Sequence, residues 1–215
     1  MGMDVGYLPT LCRIKNQAIG YKTAVAGHHP PMPIRVRPVA LGTIIYIASE
    51  TMFFSALFAT YYDLKSTAPA GAWPPPYVHL DELSPAFGTF FLVASSLMMF
   101  PMSRALKRRN MKAAFGWLYG GIIGGLGYIG TAMHGYAAQG FNMHTSAYAS
   151  IYLALTGFHL LHVVAGVIML LGLYLGLRSP ALRVDKHDAA EAITYYWHFV
   201  TFMWFGIYST VYWIR

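Results

Sequence analysis

Glu50 stands in the run Ile47-Ala-Ser-Glu-Thr-Met-Phe-Phe54, an acid among apolar neighbours. A carboxyl at the middle of a membrane helix costs about 2.5–3.5 kcal/mol on insertion scales, so it must face protein, water or a partner. Two uses stay open. The group either carries a function or touches lipid, or it sits in its neutral form, which desolvation favours, hydrogen-bonded to a neighbouring helix. His159 and His162 stand three apart in Thr156-Gly-Phe-His-Leu-Leu-His162 and share one face of a helix. Two imidazoles on one face cannot ligate a haem from both sides of its plane. A zinc or copper site needs further ligands, for which Glu50 and His198 are the intramembrane candidates. The simpler arrangement is a polar cluster tying the first, fourth and fifth spans through interhelical hydrogen bonds of about 0.6–2 kcal/mol each, with Glu50 paired to His159 or His162. No metal is assigned to this chain. No hydrolytic triad or paired carboxylates emerge, so no catalytic residue is assigned either.

The elements that must position these groups are membrane helices. Of 215 residues, 56% are hydrophobic and 11% charged, against about 25% charged in an ordinary soluble domain. The single cysteine, Cys12, excludes an internal disulfide and any multi-thiolate centre. From Leu41 to Tyr62 the only charge is Glu50, and at about 1.5 Å per residue this run reaches ~33 Å, enough for a hydrocarbon core of about 30 Å. Similar runs follow at 85–103, 113–136, 147–177 and 193–213, which predicts an all-α bundle of five transmembrane helices over 41–215. The third run places Gly116, Gly120 and Gly124 at four-residue spacing, a pattern that lets helix backbones approach closely. Phosphate cradling is excluded there, because no strand leads into a helix N-terminus. Trp73-Pro-Pro-Pro76, Tyr208, Tyr212 and Trp213 read as anchors at the headgroup level.

Loop charges set the orientation. Residues 1–40 form a basic, Pro-containing tail with Arg13, Lys15, Lys22, Arg35 and Arg37 and no signal-peptide pattern. The loop after the second run adds Arg104, Lys107, Arg108, Arg109 and Lys112, and the loop after the fourth adds Arg178, Arg183 and Lys186. The opposite side holds only Lys65 and Arg215. Cytoplasmic loops retain Lys and Arg, so the N-terminus is expected in the cytoplasm and the C-terminus in the periplasm. The net charge of +7 is thus a topology signal and does not call for nucleic acid.

Taken together, four stretches resemble cytochrome c oxidase subunit III, including its shorter relatives in bacterial quinol oxidases. They are Ala48-Ser-Glu-Thr-Met-Phe-Phe54, Trp73-Pro-Pro, Thr156-Gly-Phe-His-Leu-Leu-His-Val163, and Glu191-Ala-Ile-Thr-Tyr-Tyr-Trp-His-Phe-Val200 running on to Tyr212-Trp213. The resemblance implies a subunit without haem or copper, packed with subunits I and II of an oxygen-reducing, proton-pumping oxidase whose haem and copper lie in those partners. It implies bound phospholipid and a supportive role in proton uptake and in protecting the catalytic subunit. By matching position it carries over Glu50, the carbodiimide-reactive carboxylate of the family, with Trp73, His159, His162, Glu191 and His198. Arg178 lies two positions from a lipid-headgroup arginine of longer members. Trp73, Arg178 and Glu50 are therefore the lipid-contact candidates, and Glu50, His159, His162, Glu191 and His198 the intramembrane polar set.

The chain also departs from that pattern. A basic tail stands where the mitochondrial form has two helices, which points to a bacterial plasma membrane. Ala132 and Gly135 replace a glutamine and a glutamate before Tyr136, and Thr201 replaces an aspartate. The alternatives are a sister subunit associated with nitric oxide reduction, an ion transporter using Glu50, and a stand-alone membrane metalloenzyme. The transporter predicts inverted repeats or broken helices, and the sequence has neither.

Overall fold

The computed structural model of the protein describes residues 38–69, 72–76, 78, 82–178 and 186–214. The basic tail up to Arg37, Cys12, Arg183 and Arg215 lie outside the described residues. Among the described residues the structure is all-helical. Helix α1 spans Pro38–Thr67, α2 Leu83–Lys107, α3 Met111–Ala138, α4 Ala147–Arg178 and α5 Lys186–Tyr208, which continues as a π-helical turn Ser209–Trp213. Proline suits the start of α1, where a missing N–H costs nothing.

Three segments are long and apolar enough to cross a membrane by themselves: Leu41–Thr67, Leu83–Lys107 and Ala147–Arg178. The two others fall short of the five-span expectation by that measure. Glycine and tyrosine dilute the apolar content of α3, while α5 carries Lys186, His187, Asp188 and Glu191 in its first two turns. Their 28 and 23 residues still reach about 42 and 34 Å. Both are packed among the other helices, α3 between α2 and α4, and α5 against α1, α2 and α4. Polar content is tolerated where protein rather than lipid surrounds a helix.

The glycines of α3 set how closely it is approached. A Cβ on Gly124 would come within 2.7 Å of Ser95 Cβ and 2.9 Å of the Phe91 carbonyl, and one on Gly121 within 2.3 Å of Met99. Gly116 faces open space. Ser95 fastens this contact by donating to the Gly121 carbonyl at 2.7 Å and accepting from the Trp197 indole at 2.9 Å. Trp197 is fully buried, and its ring fills the space left by Gly125 and Gly166. The turn from α2 to α3 is closed by Arg109 in the left-handed region at φ 56° and by Asn110, whose side chain accepts from the Ala113 N–H. The hydrophobic core therefore runs between α2, α3, α4 and α5, with α1 laid along α4 and α5.

Candidate functional site

Where α1 crosses α4, Glu50 Oε2 lies 2.9 Å from His162 Nε2, with side chains 20% and 14% exposed. The other ring nitrogen of His162, Nδ1, stands 2.6 Å from the carbonyl of Phe158, one turn back on the same helix. A carbonyl only accepts, so Nδ1 must carry a hydrogen. Nε2 then either accepts from a protonated carboxyl or carries a second hydrogen toward a carboxylate. A bare carboxylate facing a bare Nε2 would set lone pair against lone pair. Both permitted states place one proton between the two groups and leave the pair electrically neutral, the form an apolar setting requires.

Aromatic rings enclose the pair. Phe54 lies 5.2 Å from the His162 ring, and Phe53 meets Phe158 edge-on at 5.0 Å. Tyr196 donates to the His162 carbonyl at 3.0 Å, and its ring packs against Tyr46, which stands beside Glu50. The pair thus joins α1 to α4, and the two tyrosines extend the polar contact to α5.

His159 has a different setting, although it shares a helix face with His162. It is fully buried, with Nε2 3.1 Å from the Val200 carbonyl of α5 and Nδ1 3.0 Å from the Tyr128 hydroxyl of α3. The carbonyl makes Nε2 the donor, so Nδ1 accepts from Tyr128. Both nitrogens are spent, and the imidazole serves as a three-helix clamp. Trp204 lies against it at 5.0 Å, its indole donating to Thr89 of α2 at 2.7 Å. Of the two histidines, His162 is the one facing Glu50.

The remaining sequence candidates are spread further along the bundle. His198 meets Ser96 of α2 at 2.6 Å and stacks on Phe100 at 4.5 Å. Glu191 accepts from Tyr195, one turn on, at 3.1 Å. Arg178 is exposed at the end of α4, over the Tyr174 ring. Trp73 points inward, where its indole donates to Tyr61 at 3.2 Å and its ring meets Tyr148 at 4.9 Å. Tyr212 is buried and bonded to Tyr152, whereas Trp213 is 79% exposed. Thr201 turns its hydroxyl back on the Trp197 carbonyl. Among the described residues no group of three or more His, Cys, Asp and Glu is placed to hold a metal ion.

Sequence reasoning did not find Tyr128, Tyr196, Ser96 or the Phe158 carbonyl. Each is chosen by the rotation of one helix against another, and no spacing within a helix reports that. The nearest signal was the small-residue composition of α3, which let Tyr128 approach α4.

Comparison with known proteins matches residues 11–215 to the family described as cytochrome c oxidase subunit III. A protein named probable cytochrome c oxidase subunit 3 from Nocardia farcinica is 32% identical over 184 residues, covering 84% of this chain and 90% of its own length. The protein named cytochrome c oxidase subunit 3 from Thermostichus vulcanus is 26% identical over 200 residues, covering 93% and 96%. That of Hippopotamus amphibius is 31% identical over 193 residues, covering 87% and 73%.

Proposed function

Because this chain belongs to the cytochrome c oxidase subunit III family, we propose that it is the cofactor-free third subunit of an aerobic respiratory haem-copper oxidase in a bacterial plasma membrane. It packs with subunits I and II, which hold the haem and copper, and it stabilises the catalytic subunit rather than handling electrons. Its N-terminal tail lies in the cytoplasm and its C-terminus in the periplasm, as the loop cations argue. The structural observation that carries a supportive role is the Glu50–His162 pair at 2.9 Å. Each partner of that pair is occupied by the other, so the acid and the imidazole hold helices together without leaving a free ligand set. His159 and His198 serve the same purpose at other seams, while Glu191 bonds to Tyr195 within α5.

Exposed aromatic and aliphatic side chains along α1, α2 and α4 give phospholipid and partner helices a continuous apolar surface. Arg178, exposed at the end of α4, is the residue suited to a headgroup, with Glu50 nearest the acyl region, while Trp73 packs inward on Tyr61 and Tyr148 and supports the loop before α2. Bound lipid at that surface sustains proton uptake by keeping the catalytic subunit in shape. The test is to capture the chain in mild detergent and identify what accompanies it. A haem-copper subunit with oxygen-reducing activity is expected. A haem subunit with non-haem iron that reduces nitric oxide would replace the oxidase assignment, and a chain isolated alone with stoichiometric copper or zinc would end it.

A further inference from the structure

Between α2, α3, α4 and α5 lies a partly open pocket with room of about 40 Å³. Gly88, Ala132 and Gly135 line it together with Tyr128, Tyr136, Tyr152, Thr156 and Gln139. The protein spends only part of this polar capacity. Gln139 gives one N–H to Tyr152 at 2.5 Å, and Tyr152 meets Tyr212 at 3.2 Å. Thr156 and Thr131 donate to carbonyls of their own helices, at 2.7 and 2.8 Å; Tyr136 lies within hydrogen-bond reach of Thr156, and the Thr131 lone pairs are left available. Tyr128 reaches the other way, to His159. An acyl chain would strand these groups, whereas a water needs two to four polar partners and roughly 10–15 Å³, so about three fit.

We infer that this cavity is a hydration site, holding a small cluster of ordered waters that joins the Gln139–Tyr152–Tyr212 hydrogen bonds to the Tyr128–His159 clamp. The bundle would then carry a continuous polar seam from the end of α3 to the fully buried His159. The occupant is water rather than lipid because side-chain hydroxyls and an amide converge on a space with room for about three waters.

The test uses the intact complex in detergent, with water itself as the probe, by brief X-ray radiolysis followed by mass spectrometry of oxygen adducts. Tyr128 and Tyr152 are 2% and 3% exposed and Tyr61 0%, so bulk solvent cannot separate them. Bound water predicts adducts on Tyr128 and Tyr152 several-fold above Tyr61. Ala132→Gln, whose amide fills the space and takes over the hydrogen bonds, is expected to bring them down to the Tyr61 level. Should that variant fail to assemble, Gly135→Ala serves, since its Cβ meets only Ser84 Cβ at 3.7 Å and narrows the cavity without a clash. Adducts on Tyr128 and Tyr152 no higher than on Tyr61 would overturn the inference, as would labelling indifferent to both substitutions.

Discussion

Replacing Glu50 by glutamine tests whether the acid–imidazole pair works as a neutral hydrogen bond. Nδ1 of His162 is committed to the Phe158 carbonyl, so Nε2 can accept from a glutamine amide placed where the carboxyl now stands at 2.9 Å. The α1–α4 link then survives, and the expected loss is below the average of about 0.6 kcal/mol for an interhelical hydrogen bond in a membrane. Glu50→Ala removes the link and leaves a part-buried Nε2 without its partner, a loss of about 1–3 kcal/mol. The assay is retention of this chain by the purified complex across a denaturing-detergent titration, with both variants beside the parent. Glutamine should track the parent and alanine should release early. If glutamine falls with alanine, the pair depends on full charge, because breaking a buried ion pair costs about 3–5 kcal/mol, and the neutral-bond reasoning fails. Initial oxygen consumption should be unchanged in Glu50→Gln. Complete loss from the first turnover, in an assembled complex, would refute the supportive role.

His159→Leu keeps the volume but strips the Val200 carbonyl and the Tyr128 hydroxyl of their partner, so a loss of about 1–3 kcal/mol is expected in the same titration. An unchanged midpoint would show that the clamp is dispensable. Gly166→Ala drives a Cβ to 2.6 Å from the Trp197 ring, overpacking that should cost about 1–3 kcal/mol. Gly157→Ala, on the same helix with nothing within 4 Å, should be neutral or stabilise by about 0.5–1 kcal/mol. Equal effects of the two alanines on thermal release of the chain would contradict the packing described for Trp197.

The sequence by itself determined the all-helical membrane class, the number of helices and the family, because long apolar runs and short motifs are written along the chain. It also singled out Glu50, since a charge among apolar neighbours needs no partner to be conspicuous. It left open whether His159 or His162 meets that acid. They stand three positions apart on one face, and the hundred-odd residues between Glu50 and these histidines carry no register. The tertiary structure decided this by packing α1 against α4, with the Phe158 carbonyl turning His162 to Glu50 and Val200 and Tyr128 holding His159 inside. It also turned Trp73 and Tyr212 inward, although headgroup-level aromatics read as anchors, because an aromatic with a polar edge is satisfied equally by a buried hydroxyl. Local pattern fixes which segments leave water. Only the rotation of one packed helix against the next fixes which polar atoms meet once they have.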